Sequence, residues 1–259
     1  MPIVFLVLVL LAFQSMPALA AQIEPDRPEL TESAKLVPRG SVQLETGVAY
    51  SKERRAGEPA EKTLELEADL RIGLTRQLEV DLEGEPFVRV RGPQDDTGVG
   101  DITIGFRYRF IEAFEDYPWP PHLAVKAFAK LPIADEPIDT ERPNFGLLLL
   151  ASFDLPWDFE LEVNLGAAAI GQTRPNGYLA QALGSASLSH DLTTSLFGFL
   201  ELLLASRDQR DGRGSMSINV GLVYRVTSRL AVDAGIQTSL LGEAPDYVAR
   251  AGLSVRWGR

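Results

Sequence analysis

A serine and histidine group in the second half of the chain is the first candidate for catalytic chemistry. Ser187, Ser189 and His190 are followed directly by Asp191. A hydroxyl and an imidazole can act as nucleophile and general base when they lie about 2.6–3.2 Å apart. The alternation of the surrounding residues places His190 on an inward face or in a turn. We therefore expect a solvated histidine at a turn and no catalytic residue.

The sequence motifs that could bind a metal ion or a nucleotide are incomplete. Asp95 and Asp96 lie near Asp101 but lack the position-12 Glu of a calcium-binding EF-hand. The glycines Gly98 and Gly100 precede a strand-like segment, whereas a dinucleotide-binding loop opens a helix. The chain has no cysteine, which excludes a disulfide framework and a thiolate site. A net charge of −11 argues against nucleic acid. The sequence predicts no metal and no cofactor.

Many ionisable residues lie on segments in which polar and apolar residues alternate. From Leu64 to Leu74 the sequence reads Leu-Glu-Leu-Glu-Ala-Asp-Leu-Arg-Ile-Gly-Leu. Successive side chains of a β-strand point to opposite faces, so this pattern gives one apolar and one charged face. Rows of charge that face each other across a pore set up a field that orients polar solutes. The chemistry that these residues suggest is therefore transport.

Twelve such segments run from residue 42 to the end of the chain. Most are longer than the usual five or six residues and match the roughly 9–11 residues of a tilted membrane strand. In each segment the more apolar face carries no charged residue. These observations predict an all-β protein, a twelve-stranded antiparallel transmembrane β-barrel. The predicted strands are 42–50, 64–74, 78–90, 101–110, 123–131, 145–155, 159–169, 178–188, 196–204, 218–226, 230–240 and 247–257.

Aromatic residues on the apolar faces gather at the segment ends. Tyr108, Trp157 and Trp257 fall at one end, and Tyr50 and Phe145 at the other. Amphipathic rings at two levels are typical of the two interfacial girdles of a membrane barrel. Short connections such as 156–158 and 227–229 alternate with longer ones such as 51–63, which predicts short periplasmic turns and long outer loops.

The N-terminal 41 residues do not alternate. An apolar run from Ile3 to Phe13 is too short to span a bilayer, and Ala18-Leu19-Ala20 fits a cleavage site. We predict a signal peptide at 1–20, an extended arm at 21–41 and the barrel at 42–259. The expected location is the outer membrane of a Gram-negative bacterium, reached through a cleaved signal peptide. The expected partners are outer-membrane lipid, the barrel-assembly machinery and a small solute.

The inward faces form the candidate site. They hold fourteen acids and nine bases, Arg89 among the bases. These charges either orient solutes or form ion pairs that simply close the barrel. Inward apolar residues suit an aromatic solute or pack against the arm at 21–40 as a plug; they are Phe87, Phe128, Leu148, Leu150, Phe197, Phe199 and Leu203. The candidate lumen and solute-binding residues are Glu65, Glu67, Arg71, Glu79, Asp81, Arg107, Arg109, Lys126, Phe197, Phe199 and Glu201.

Several short motifs carry a family resemblance over the chain beyond the signal peptide. They are Arg27-Pro28, Thr31-Glu32-Ser33, Gln43-Leu44-Glu45-Thr46-Gly47, Gly98-Val99-Gly100-Asp101, Gly105-Phe106-Arg107-Tyr108, Phe199-Leu200-Glu201 and Ala244-Pro245-Asp246-Tyr247. In their order and spacing the chain resembles the MetA-pathway-of-phenol-degradation family of outer-membrane barrels. Arg107 departs from the lysine that is usual there. The resemblance implies a barrel that transports small molecules.

The expected function is a channel or transporter for passive uptake or export of small molecules, including hydrophobic or aromatic ones. Two alternatives stay open. One is a structural or adhesion barrel with a blocked lumen. The other is a barrel lipid hydrolase that would use His190.

Overall fold

The computed structural model describes residues 22–54, 59–92, 95–114, 119–134, 142–173 and 175–258. In this part of the chain, no helix is long or apolar enough to cross a membrane. Thirteen β-strands are found among the described residues. They are β1 (Val42–Glu53), β2 (Glu61–Gly73), β3 (Leu78–Arg91), β4 (Asp96–Gly98), β5 (Ile102–Ile111), β6 (His122–Leu131), β7 (Asn144–Leu155), β8 (Phe159–Gln172), β9 (Gly177–Asp191), β10 (Leu196–Ala205), β11 (Ser215–Thr227), β12 (Leu230–Gly242) and β13 (Tyr247–Trp257).

Twelve of these strands close into one antiparallel barrel. The first and last strands pair with each other, from Val42 opposite Trp257 to Lys52 opposite Tyr247. The short strand β4 pairs only with β3, which continues the barrel through β5. Closure leaves no unpaired sheet edge, which is a condition for a sheet that spans lipid. The predicted fold is confirmed, and each predicted strand corresponds to a strand of the barrel.

The alternation of the sequence explains which face lies outside. On β1, Val48 is 47% exposed, whereas its neighbour Ala49 is 1% exposed and faces the interior. Val48 pairs with Leu66 on β2, and Ala49 pairs with Glu65. Directly opposite residues of an antiparallel pair share a face. The outer surface is therefore a band of leucine and valine, and the acids of β2 line the lumen.

The aromatic residues at the strand ends form the expected rims. Tyr50 and Tyr247 lie with ring centroids 6.1 Å apart at the end with the longer loops. At the opposite end, Tyr108, Tyr224 and Trp257 are exposed on the outer surface. We call these the long-loop end and the short-turn end. The connections after β8 and β12 are only four residues long, so loop length is less asymmetric than the sequence predicts.

One prediction about the faces is wrong, on the upper half of β3. Leu66 pairs with Phe87 and Ala68 with Gly84, so two residues of β3 stand opposite one residue of β2. This bulge contains Pro86, a residue that sheets tolerate at bulges. The extra residue reverses the alternation beyond it. Phe87 and Arg89 consequently face outward instead of into the lumen, and Val88 is buried.

The lipid-facing band gives a direct test of the fold. Leu66→Arg places a guanidinium on the outer face of β2, where a mid-bilayer arginine costs about 2–4 kcal/mol of folding free energy. Leu74→Arg, at the turn that follows β2, is the matched control and should cost about 0–1 kcal/mol. Urea unfolding in lipid vesicles measures both values. Equal losses would contradict the assigned face.

Candidate functional site

The N-terminal arm, residues 22–41, runs through the interior of the barrel. Ile23 packs in a buried cluster with Phe197, Val223 and Ala231 of the wall. Further along the arm, Ala34 is buried in a second apolar cluster with Ala124 and Leu150. Two apolar contacts thus fix the ends of a segment whose middle is polar.

An aspartate of the arm joins two buried arginines of the wall. Asp26 lies 3.1 Å from Arg71 on β2 and 3.1 Å from Arg107 on β5. Arg71 also pairs with Glu79 at 2.8 Å and with Glu45 at 3.1 Å. Both arginines are almost fully buried. The arm therefore supplies one of the carboxylates that compensate these charges.

A second carboxylate of the arm extends this network along the wall. Glu32 lies 2.7 Å from Arg107 and 2.8 Å from Lys126 on β6. Lys126 also pairs with Glu83 at 2.6 Å. Charge-assisted bonds of this length are strong, and each buried cation here has more than one anionic partner. The charges of the wall and the arm form one connected network.

Wall side chains also bind the backbone of the arm. Glu201 accepts hydrogen bonds from the Leu30 N–H at 2.9 Å and the Thr31 hydroxyl at 2.6 Å. Asn164 accepts from the Glu32 N–H at 2.7 Å and donates to the Glu32 carbonyl at 2.8 Å. An extended segment without its own secondary structure needs such partners when it is buried. The lumen provides them.

Two glycines make room for an arginine of the arm. Gly47 and Gly252 are paired across β1 and β13 and face the lumen. A Cβ on Gly252 would lie 2.9 Å from Arg27 Nε, and one on Gly47 would overlap the Arg27 guanidinium. Arg27 extends over this pair of glycines and forms an ion pair with Glu67. The glycines serve the close approach of the arm to the wall.

The carboxyl of Glu29 on the arm lies against the wall of β8 and β9. The Ser187 hydroxyl donates a hydrogen bond to it. Burial raises the pKa of Glu29 well above its ordinary value, and the neighbouring Glu162 carboxylate acts in the same direction.

The structure places the predicted site residues on the interior face of the barrel, where most contact the arm or one another. Arg109 is the outlier, because it bonds the Arg76 carbonyl and Glu112 at the short-turn rim. Arg225 lies over the Phe197 ring, 4.6 Å from its centroid. The interior set is Glu65, Glu67, Arg71, Glu79, Asp81, Arg107, Lys126, Phe197, Phe199 and Glu201.

Sequence reasoning left open whether the lumen charges are paired, and the structure pairs many of them, among them Arg71, Arg107 and Lys126. It missed the arm residues that complete the pairs, namely Asp26, Arg27, Glu32 and Ser33, together with the wall amides Asn164 and Asn219. A signal existed in the arm itself. The arm contains charged and hydroxyl residues together with the apolar Ile23 and Ala34. This mixture is more typical of a segment that contacts a polar lumen than of one that is surrounded by water.

Several cavities remain beside the arm, and two of them exceed 300 Å³. One, of about 350 Å³, lies at the short-turn end and is lined largely by acids, among them Glu24, Glu160, Glu162 and Asp191. The other, of about 330 Å³, lies at the long-loop end and is mainly apolar. The arm contributes lining residues to both cavities.

The serine and histidine group does not form a catalytic pair. His190 stacks on Phe159 with ring centroids 4.3 Å apart and contacts the Asp158 carbonyl at 3.2 Å. Ser187 faces the lumen, where it bonds Glu29. Residues 187 and 190 lie on opposite faces of β9, so His190 lies on the outer face near the end of a strand and not, as expected, on the inward face or in a turn. This geometry does not support the hydrolase alternative.

Solved structures share this architecture. The COG4313 outer membrane channel from Pseudomonas putida F1 superposes with a TM-score of 0.71 over 90% of this chain and 100% of that chain, at 12% identity. The NanC porin gives 0.56 over 83% and 98%, at 9% identity. The CymD monoaromatic hydrocarbon channel gives 0.51 over 94% and 95%, at 8% identity. At these identities the likeness shows the fold.

Sequence comparison identifies the family. No curated protein sequence matches the chain. A family model described as "Putative MetA-pathway of phenol degradation" matches residues 25–257, which include most of the arm and the whole barrel. The match confirms the resemblance that the motifs indicate. The chain belongs to this family, the MetA-pathway-of-phenol-degradation proteins.

Proposed function

We propose that this protein is an outer-membrane channel for the passive movement of small molecules, and that its own arm closes the channel in the state described. The observation that carries the proposal is the position of residues 22–41 inside the barrel. This segment belongs to no strand and lines cavities toward both ends of the lumen. That segment is held by side chains.

The nature of the contacts favours a gate over a permanent seal. The arm is bound mainly by ion pairs and hydrogen bonds, such as those from Asp26 and to Glu201. Water can replace polar contacts of this kind when the arm moves, at a far lower cost than opening a close-packed apolar core. The backbone ladder of the wall does not depend on the arm, so the barrel can persist while the arm shifts.

The alternative of a structural barrel with a blocked lumen explains the closure but not the cavities. A barrel that is only a scaffold needs no space on either side of its plug. Here two cavities of several hundred Å³ face each other across the arm. A solute could occupy the cavity at one end of the barrel before it passes the arm, and the cavity at the other end afterwards.

The family and the related structures support the proposed solute class. The family description refers to phenol degradation, and one similar barrel is named a monoaromatic hydrocarbon channel. We extend the proposal to small hydrophobic or aromatic molecules. It also includes export through a signal peptide at 1–20, insertion by the barrel-assembly machinery, and long loops that face the cell exterior.

A reversible tether tests whether the arm must move. Ser33 on the arm and Ser152 on β7 have hydroxyl oxygens 3.2 Å apart, and the chain contains no cysteine. In Ser33→Cys/Ser152→Cys, oxidation should join the arm to the wall and stop solute entry in liposome swelling. Reduction should restore entry, because only the cross-link has changed.

The single variants Ser33→Cys and Ser152→Cys are the matched controls and should respond to neither oxidant nor reductant. Mass spectrometry after proteolysis establishes that the cross-link has formed. Solute entry through the fully cross-linked protein at the rate of the reduced protein would overturn the proposal that the arm closes the path.

A further inference from the structure

The cavity at the long-loop end has the properties of a binding site. Its volume is about 330 Å³, and five leucines contribute to its walls: Leu30, Leu148, Leu183, Leu203 and Leu204. Small-molecule sites typically have volumes of about 300–1,000 Å³, mainly apolar walls and a few polar groups. This cavity lies at the lower end of that range.

The floor of the cavity comes from the arm. Leu30 is 45% exposed, although its backbone N–H is held by the buried carboxylate of Glu201. This hydrogen bond fixes the backbone of Leu30 and so holds its side chain at the cavity. Covering exposed apolar surface contributes roughly 25 cal/mol per Å². A ligand with an apolar body would gain from contact with Leu30.

The polar groups of the cavity lie on the strands around the leucines. Ser185, Ser217 and Gln237 contribute to the lining, and Ser217 lies beside Leu203 in the pairing of β10 with β11. Hydroxyl and amide groups can each donate and accept a hydrogen bond. They suit a ligand that carries one neutral polar substituent on an apolar body.

The one cation that contacts the described cavity lining, Arg250, donates to the Gln237 amide oxygen at 3.0 Å and is paired with Glu67 at 3.2 Å, whereas two carboxylates lie at the cavity. Glu201 lies below Leu30 and is fully buried, and Glu243 lines the cavity at the loop side. An anion placed here would face two carboxylates in a largely apolar space. Burial of an uncompensated charge is costly. The site therefore selects against carboxylates.

We propose that this cavity is the capture site of the channel, and that it takes neutral aromatic molecules of one or two rings with a single hydroxyl or amino group. An apolar cavity of about 150 Å³ already accommodates benzene, so the volume is sufficient for this class. The role of the cavity in transport rests on the proposed function. The ligand class that the cavity binds is inferred only from the residues that line it.

Fluorine NMR on the full-length protein in lipid nanodiscs can test the ligand class. At neutral pH, 4-fluorophenol is neutral, because phenolic groups titrate near pH 10, whereas 4-fluorobenzoate is ionised like other carboxylates. The phenol should broaden and shift on addition of protein, relative to empty nanodiscs. The benzoate should behave as it does with empty nanodiscs. Equal binding of both probes would overturn the assignment.

Truncations on the inner face of β9 and β10, with a control on the outer face of β10, locate the site. Leu183→Ala/Leu203→Ala removes apolar surface from the cavity and should weaken 4-fluorophenol binding by about tenfold or more. Leu200→Ala lies on the same strand but faces lipid, where its side chain is 50% exposed, and should leave binding unchanged. Unchanged binding in the double variant, with the barrel shown to be folded by its heat-modifiable migration, would contradict the site.

The tethered protein separates this inference from the proposed function. Oxidised Ser33→Cys/Ser152→Cys keeps the arm docked, so it should still bind 4-fluorophenol while solute entry stops. Absence of binding, with solute entry still controlled by the tether, overturns the capture site and leaves the channel in place. Binding that persists while the oxidised tether fails to stop entry supports the cavity and overturns the arm as the gate.

Discussion

Deletion of Gln22–Lys35 is expected to raise the ion conductance of the barrel in planar bilayers by about tenfold or more. Barrels of about eight strands are filled by their own side chains, whereas barrels of about 16–18 strands enclose a water-filled channel. A twelve-stranded barrel lies between these sizes, so its lumen has room for ions once the arm is removed. The segment removed contains Asp26 and Glu32, which join the basic part of the wall, and Ile23 and Ala34, which fill two apolar clusters. Its loss merges the two cavities into one path. The wall keeps its backbone pairing because β1 begins later, at Val42.

The deletion also predicts an ion preference. The acids of the lumen exceed its bases, and a charged pore lining favours ions of opposite sign. The open barrel should therefore prefer cations, less so at 1 M salt, where the Debye length falls to about 3 Å. The oxidised Ser33→Cys/Ser152→Cys protein is the closed control. A deletion variant that is folded but does not conduct would show that the wall itself blocks the lumen.

Arg107→Met is expected to destabilise the protein by about 3–5 kcal/mol, the usual cost of removing one partner from a buried ion pair. Arg107 contacts Asp26 at 3.1 Å and Glu32 at 2.7 Å, and it lies 3.7 Å from the fully buried Asp81. Methionine fills most of the volume but leaves these carboxylates with less compensation. Urea unfolding in lipid vesicles measures the loss.

A second arginine of β5 provides the matched control. Arg109→Met removes a pair with Glu112, whose side chain is 65% exposed at the rim. Water solvates the exposed Glu112 carboxylate when the pair is lost, so this variant should lose clearly less stability than Arg107→Met. In a protein that lacks Gln22–Lys35, Arg107→Met should cost less, because two of its anionic partners are gone. Equal losses from the two arginines would refute the central role of Arg107.

The strands were predictable because lipid imposes a simple rule on each of them. Leu66 faces lipid and must be apolar, whereas its neighbour Glu67 faces the lumen and can be charged. The sequence therefore alternates between apolar and polar residues along the strand. The rule fails at Glu85 and Pro86, where one extra residue reverses the faces. A bulge is defined by the pairing of two strands, and pairing is not visible within one strand.

The candidate site was predictable in its residue types but not in its partners. Alternation puts Arg71 and Arg107 inside the barrel, yet both bind Asp26 from a segment without any periodic pattern. Asp26 and Arg107 are 81 residues apart in the sequence. Only the closed fold brings them together. The arm residues therefore had to be found from the structure.

The partners of the arm also constrain the order of assembly. Glu45, Arg71, Arg107, Ser152, Asn164 and Glu201 lie on six different strands, from β1 to β10. These strands come into position around one axis only when the sheet has closed. The arm precedes every strand of the barrel in the chain and is synthesised before them, yet its binding surface forms only after they have paired. Docking of the arm thus marks the end of folding, and a barrel with a strand missing or out of register would leave its own N-terminus without a place to bind.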